Sequence, residues 1–514
     1  MHRRFLMAAL LGALAVWGCR SAPIEAALRV LLPASPEKSA GALSKTVLLR
    51  KQSPLTTPGV PVVIYLIDTL RIDRIGVYGG SGALTPNVDA LAARSVLFEQ
   101  AYAPAPWTLP SVTSLFTSTF LTEHGVVDLR RVMNPTLRPL ARRLVAAGYA
   151  TAAFTANANT SYITGDGGGY QRAQIIDKSL PPDVARAWLS SVAGRPFHLY
   201  VHTTEPHNPF IAPPEWIGRF GAVSDDRRRA VNAAMRAYRD ATMADLQSGR
   251  APGTVDNSDE QDRLMADLAA VWPDMRVLYD AHVAQADARL GEFVDLLREA
   301  GVWDDCLFIL LSDHGEEFGE HGGWLHDQSL HEELVRVPLL IRFPRDAAAG
   351  RRVREVARLI DVMPTILDAL GMKDETADCR GRSLLPLIDG SAAPPRDDAV
   401  HVVSMRSNRT KHYRPFKERR GDLNVALRQG RFKGVWNVEV GTLELYDLEN
   451  DPGEMIDVAP QQPDRAAAMI AFARDWMKKQ RHFSGSPDAA ANARPPALDR
   501  AAERNLRKLG YLGD

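Results

Sequence analysis

Two short apolar runs lie far apart in the chain, and each ends abruptly in residues that can bind a cation. Pro61-Val-Val-Ile-Tyr-Leu-Ile runs into Asp68, and Cys306 to Leu311 runs through Ser312 into Asp313-His314. Unbroken apolar runs of this length are short for helices and fit strands buried on both faces, as in a parallel sheet. In open α/β sheets, ligands bind outside the carboxyl ends of the strands. An isolated Asp-His would more simply be a turn cap beside a surface histidine. A second strand ending in a carboxylate changes the balance: as neighbours, the two would bring Asp68, Asp313 and His314 to one crevice, where they suit one divalent cation. Such ligands favour calcium, magnesium or manganese, with zinc left open.

The remaining pattern divides the chain. Residues 225–272 form a polar, Arg-rich helical insertion, and RRRAVNAAMRAYRDATMADL fits a solvated amphipathic face better than a basic partner-binding helix. From about Asp397 to Ala459, the run HVVSM, the basic loop KHYRPFKERR and ALRQGRFKGVWNVEVGTLELYDLENDP predict a small antiparallel sheet. The Ala- and Arg-rich tail to Asp514 is expected to be helical at its end. Domain boundaries follow as 1–19, a lipoprotein-type signal peptide; 20–58, a tether; 59–390, the main α/β domain; and 391–514, a C-terminal subdomain and tail.

The N-terminus points to the cell envelope. Met-His-Arg-Arg is followed by an apolar stretch from Phe5 to Trp17, too short to span a bilayer and right for a secretory signal. It ends Val16-Trp17-Gly18-Cys19, which resembles a bacterial lipoprotein cleavage box, so Cys19 is expected to carry a lipid anchor to the membrane; periplasmic or secreted protein is the alternative. The other cysteines, Cys306 and Cys379, are expected to be free thiols rather than a disulfide. At 514 residues and 45% hydrophobic, the chain can bury a large core. Its 62 basic and 62 acidic residues balance, which argues against a nucleic-acid partner.

Longer motifs carry a specific resemblance. The most telling are IDTLRIDRIGVYGG, LTPNVDALAARSVLFEQAYAPAPWTLPSVTSLFTSTFLTEHGV and LSDHGEEFGEHG. Further matching strings are FHLYVHTTEPHNPF, LYDAHVAQADARLGEFVDLLREAGVWDD, RVPLLIRFP, LIDVMPTILDALGM, GRSLLPLIDG and ELYDLENDPGEMIDVA. From about Pro61 to Ala459 the chain resembles the sulfatase branch of the alkaline phosphatase superfamily. The resemblance implies an α/β fold: a large mixed, mostly parallel sheet sandwiched by helices, with a small C-terminal antiparallel-sheet subdomain. It also implies a metal-dependent ester hydrolase acting on a small-molecule, glycan or lipid ester.

The departures from the family pattern bear on chemistry. In sulfatases the nucleophile segment reads Cys or Ser, any residue, Pro, Ser or Ala, Arg, and the Cys or Ser is oxidised to formylglycine. Aligned on Pro110-Ser111, the nucleophile position is Thr108 and the arginine position is Val112. Thr-x-Pro resembles instead the nucleophile segment of the superfamily's nucleotide pyrophosphatases, where threonine attacks phosphorus directly. A cation touching Thr108 Oγ1 would lower its pKa, and a helix starting there would offer N–H groups to an anion. Thr69 replaces a second metal Asp. The sulfate-binding Lys and His are replaced in Thr155-Ala156-Asn157-Ala158, leaving Asn157 or Asn159 as neutral substrate donors. His207 matches the family histidine that contacts the ester, and His326 takes the place of a family lysine. Glu317, Glu320, His321 and His124 are expected to brace loops.

The resulting expectation is a phosphoester hydrolase or transferase with Thr108 as direct nucleophile. Asp68, Asp313, His314 and Thr108 would contact one cation, and His326 or His207 would protonate the leaving oxygen. A sulfuric ester hydrolase and a non-catalytic binding protein are the alternatives.

Overall fold

The computed structural model describes residues 53–514 apart from 54, 82–83, 127–132, 248–257, 328, 392–397, 406–422, 439, 481–499 and 510–514. The expected signal peptide, Cys19, most of the tether and the basic loop KHYRPFKERR lie outside the described residues.

The elements that position the site are β1 (Val62–Ile67), β2 (Val96–Phe98), α1 (Thr108–Thr117), β3 (Ala150–Thr155), β4 (Arg172–Ile175), β5 (Phe197–Thr203), α2 (Asp225–Gln247), α3 (Ser258–Glu299), β6 (Leu307–Leu311), β7 (Leu339–Arg342) and β8 (Arg352–Val353). They build an eight-stranded sheet in the order β8-β2-β7-β6-β1-β5-β3-β4. β1 pairs in parallel with both β5 and β6, β3 with β4 and β5, and β8 with β2. Only β7 runs against its neighbours.

The central strands are apolar on both faces because both faces are covered. Val63, Tyr65 and Ile67 of β1 join the core beneath α3, together with Leu278, Tyr279, Leu290 and Leu297. Val62, Ile64 and Leu66 join the opposite core, with Val112, Leu115 and Phe116 of α1 and Val362, Ile366 and Leu367. The alternation along one strand is the strand's own two-residue period divided between two helical layers. The α2 segment is amphipathic: Val231 and Met235 are buried, whereas Arg229 and Arg236 are exposed. Residues 258–272 of the insertion form the first turns of α3.

The C-terminal part forms an antiparallel sheet of β9 (Asp398–Met405), β10 (Leu423–Gln429), β11 (Phe432–Asn437) and β12 (Leu443–Asp447). Helix α4 (Pro463–Lys479) lays Met469 and Ala473 on its apolar face, and Phe120, Leu121 and Ile360 of the main domain complete that core. The tail ends in α5 (Arg500–Leu509), whose Ala502 and Leu506 pack on Ala158 and Ile175. Cys306 and Cys379 are free thiols. Among the described residues no helix is long and apolar enough to cross a membrane.

Candidate active site

Strand register brings the carboxylates together. Leu66 of β1 is level with Leu311 of β6 and with His202 of β5, and His202 is level with Thr155 of β3. Asp68 and Asp313 each lie two residues beyond their level pair, so both stand at the same edge, beside Asn157 from the end of β3. Asp68, Asp313, His314, Thr108 and Asn157 are all buried.

The third side of the crevice is the start of α1. Trp107, extended at φ −158°, turns the chain into the helix, and Pro110 sits in the first turn, where its missing N–H costs no helix bond. Ser111 Oγ donates to the Asp313 carbonyl at 2.7 Å, tying the helix start to the end of β6. Thr108 Oγ1 consequently lies 3.1 Å from His314 Nε2. His314 Nδ1 donates to the Gly315 carbonyl at 2.8 Å, leaving Nε2 with its lone pair facing the crevice, and burial lowers its pKa to about 3. That is the form in which a histidine ligates a metal.

The donor set fits a divalent cation. His314 Nε2 is 3.6 Å from Asp68 Oδ1 and 3.5 Å from Asp313 Oδ2. Neighbouring ligands around a calcium ion at about 2.4 Å are separated by about 3.4 Å. Among the described residues no hydrogen-bond donor meets buried Asp68 Oδ1 or either Asp313 oxygen, a costly state for charged oxygens unless a cation faces them. Burial and the charge of Asp68 push Asp313 well above the usual carboxylate range. Burial acts on Asp68 the same way, but the His202 hydrogen bond, with His207 and His314 nearby, holds it well below.

Two groups around Asp68 were invisible to sequence reasoning. His202 Nε2 donates to Asp68 Oδ2 at 3.0 Å, and its Nδ1 accepts from Tyr200 Oη at 3.0 Å. The available signal was a histidine near the end of an otherwise apolar strand, but only sheet order shows which carboxylate it meets. His202 also lies close enough to Asp68 and Asp313 to join a metal set; its hydrogen bond to Asp68 makes it a support for the ligand here. Thr69 takes φ 57°, and its buried hydroxyl has no partner among the described residues. A β-branched residue in that region is strained, and the strain sits directly beside the metal carboxylate.

The other expected residues divide. Asn157 Nδ2 donates to Asp68 Oδ2 at 2.8 Å and to Thr108 Oγ1 at 3.3 Å, so it braces the nucleophile position. Asn159 is buried, and neither end of its amide has a partner among the described residues, as a substrate-binding amide requires. His326 lies with its ring 4.6 Å from His314 and 5.2 Å from His207. His326 Nδ1 donates to Glu316 Oε1 at 2.9 Å; burial opposes charging the ring, but Glu316 raises its pKa. Burial lowers His207, against the pull of Asp68. Val112, at the family arginine position, is fully buried in the apolar core.

The bracing residues hold loops. His124 Nδ1 accepts from Val126 N, and Nε2 meets Ser114 Oγ at 3.0 Å. Glu317 accepts from Gly323 N, and Glu320 accepts from Arg71 Nη1 at 2.6 Å. His321 and His331 stack at 3.6 Å beside Glu333, and these three could hold a metal by proximity alone. However, His321 gives Nδ1 to Glu333 and Nε2 to the Gly453 carbonyl. Both partners are acceptors, so the ring is an imidazolium and a loop latch.

Comparison with known proteins agrees with this geometry. The family model described as Sulfatase matches residues 61–372. The chain belongs to the sulfatase family. A second model, described as N-sulphoglucosamine sulphohydrolase, C-terminal, matches residues 319–480. The N-acetylglucosamine-6-O-sulfatase of Bacteroides thetaiotaomicron is 24% identical over 77% of this chain and 82% of its own. The choline-sulfatase of Rhizobium meliloti is 26% identical over 81% and 86%. The multifunctional alkaline phosphatase superfamily protein PehA of Trinickia caryophylli is 31% identical over 60% and 59%. The phosphonate monoester hydrolase of Agrobacterium radiobacter superposes with a TM-score of 0.61 at 22% identity, over 82% of this chain and 95% of that one, and shares the fold. This sulfatase-family chain is an ester hydrolase of the alkaline phosphatase superfamily, and the non-catalytic alternative is set aside.

Proposed function

We propose that this hydrolase cleaves phosphoesters, with Thr108 Oγ1 as an unmodified nucleophile. The observation that carries the reading is the position of Thr108 Oγ1, 3.1 Å from His314 Nε2, at the first residue of α1. Asp68, Asp313 and His314 would hold a divalent cation, which supplies positive charge to an ester oxygen and favours the alkoxide of a bound hydroxyl. Thr108 gives its proton to solvent and forms the bond to phosphorus as the bond from phosphorus to the leaving oxygen breaks, while Asn157 holds the threonine oxygen in line. The N–H groups opening α1 face the developing anion. His326, paired with Glu316, carries the proton that the leaving oxygen takes. Water then displaces the threonine oxygen and restores Thr108, with Asn159 as a neutral donor to the substrate. A sulfuric ester reading is favoured by the names of the relatives; Val112 in the core, where the family places an arginine, speaks against it. At the N-terminus, Cys19 carries the lipid that keeps the enzyme on the cell envelope; Cys19→Ser should release it from the membrane fraction.

The test is a screen of purified protein against p-nitrophenyl phosphate, bis-phosphate, phosphonate and sulfate esters with magnesium, calcium, manganese and zinc. Phosphoester turnover is expected, with no mass change at Thr108, and Thr108→Ala should abolish it while keeping metal binding. Sulfate-ester turnover alone would establish the second reading.

A further inference from the structure

The C-terminal helix is pinned beside the site, and the pin brings Arg507 and Lys508 to the wall of a cavity. Asn505 Nδ2 donates to the Ala156 carbonyl at 2.9 Å, and its Oδ1 accepts from Ala158 N at 2.9 Å. This clamp fixes α5 on the loop that follows β3. Arg507 and Lys508, just beyond, line a cavity of about 190 Å³ with Arg236 and Met235 of α2 and Asn208 and Pro209. His207 faces His326 within the active site, and Asn208 is the next residue. The cavity wall is therefore joined to His207 by one peptide bond.

Its wall is built. Asn232, also lining it, accepts from Phe210 N at 3.1 Å and donates to the carbonyls of Phe210 at 3.1 Å and Arg228 at 3.0 Å. These bonds hold the loop after His207 against α2. Among the described residues, the charged side chains lining the cavity are Arg236, Arg507 and Lys508; the Lys508 ammonium is held by Asp177, which does not line it. Near Lys508, Lys178 Nζ is enclosed with no hydrogen-bond partner among the described residues. Burial lowers its pKa to about 8, with Lys508 acting the same way and Glu205 opposing. Cations gathered around a concave surface attract anions and orient them.

We propose that this cavity is a subsite for a second anionic group on the substrate, a sulfate, phosphate or carboxylate one residue's reach from the ester being cleaved. The substrate class is then a polyanionic ester. The word substrate rests on the ester-hydrolase reading; the anion site itself does not.

Two variants on different helices, Arg236→Gln and Arg507→Gln, and their combination test it. The first arm needs no turnover: fluorescence anisotropy with a labelled heparin tetrasaccharide and a labelled inositol bisphosphate, which separate a glycan source from a lipid-headgroup source. Each lost cation should weaken binding of at least one probe by up to about fivefold, and the pair by about tenfold or more, as expected for partly exposed charge pairs. In the second arm, the kcat/KM ratio between aryl phosphoesters with and without a carboxylate on the leaving group should fall by a similar factor. Unchanged binding of both probes by the double variant would overturn the subsite, whatever the turnover result. Wild-type binding lost in the double variant, without turnover of either ester, would keep the subsite and reject the phosphoester reading.

Discussion

Replacing Asp313 by asparagine should make the metal-free enzyme more stable and the metal-loaded enzyme less so. Asp68, His202 and Asp313 present ligand atoms within 4.8 Å of one another, all buried. Two unit negative charges at such a separation repel by about 3 kcal/mol at an effective dielectric of about 20. Without a cation the pair avoids this by keeping a proton on Asp313, whose pKa burial and Asp68 push well above the usual range. A carboxyl raised in the folded state stabilises fully below its unfolded value of about 4, and loses that contribution as pH rises through the folded value. Metal-free wild type should therefore weaken toward alkaline pH. The amide introduced by Asp313→Asn imitates the protonated carboxyl at every pH. The metal-free variant should therefore gain up to about 3 kcal/mol there and lose most of the slope.

Adding the cation reverses the order. A cation at a hundredfold its Kd stabilises wild type by about 2.7 kcal/mol, and the variant, with one anionic ligand fewer, should gain much less. Urea unfolding followed by tryptophan fluorescence, after chelation and after metal is restored, measures both differences; elemental analysis gives occupancy. Equal metal-free stabilities at alkaline pH, or equal gains on adding metal, would refute the reasoning.

Three further outcomes are expected. His202→Ala should weaken metal binding about 10- to 100-fold by freeing Asp68, and His202→Gln should restore part of it; an unchanged Kd in calorimetry would show that the hydrogen bond does not orient the ligand. Glu333 pushes His321 up to about 9 against the effect of burial, so its latch should add about 1–2 kcal/mol, discounted for solvent contact. That contribution is complete below about pH 6.5 and fades as pH rises through about 9; parallel wild-type and His321→Gln denaturation curves across this range would exclude it. Asn505→Ala leaves Ala156 O and Ala158 N unpaired in a buried place, and at about 1–3 kcal/mol for each such group α5 should exchange its amide hydrogens much faster.

The parts of the site legible in the sequence are those where one strand carries its own signal. An apolar run must stop where the sheet meets ligand or water, so Asp68 and Asp313-His314 announce themselves at the ends of β1 and β6. What the chain cannot show locally is which strand ends share a level. Tyr200 and His202 read as part of one buried strand, and only the pairing of Leu66 with His202 makes them the support of Asp68. Asn505 is a sharper case: it holds the backbone at Ala156 across 349 residues of chain, and nothing in an Ala- and Arg-rich tail announces that contact.

The departures from the family motif gain meaning from the same packing. Val112 does more than lack a guanidinium: it fills the apolar layer between α1 and the sheet with Leu115 and Phe116, so a charge there would be buried among hydrocarbon. A single Val112→Arg change would then fail to recreate an arginine site and would cost several kcal/mol in desolvation. Nearby, Asn157 is held by Asp68 and Thr108, while Asn159 keeps an unpartnered amide. The cations Arg236, Arg507 and Lys508 stand instead on α2 and α5, around a cavity that Asn208 also lines. On the proposed reading, such an arrangement would select among esters by the rest of the molecule and leave the bond-breaking itself to Thr108, the cation ligands and His326.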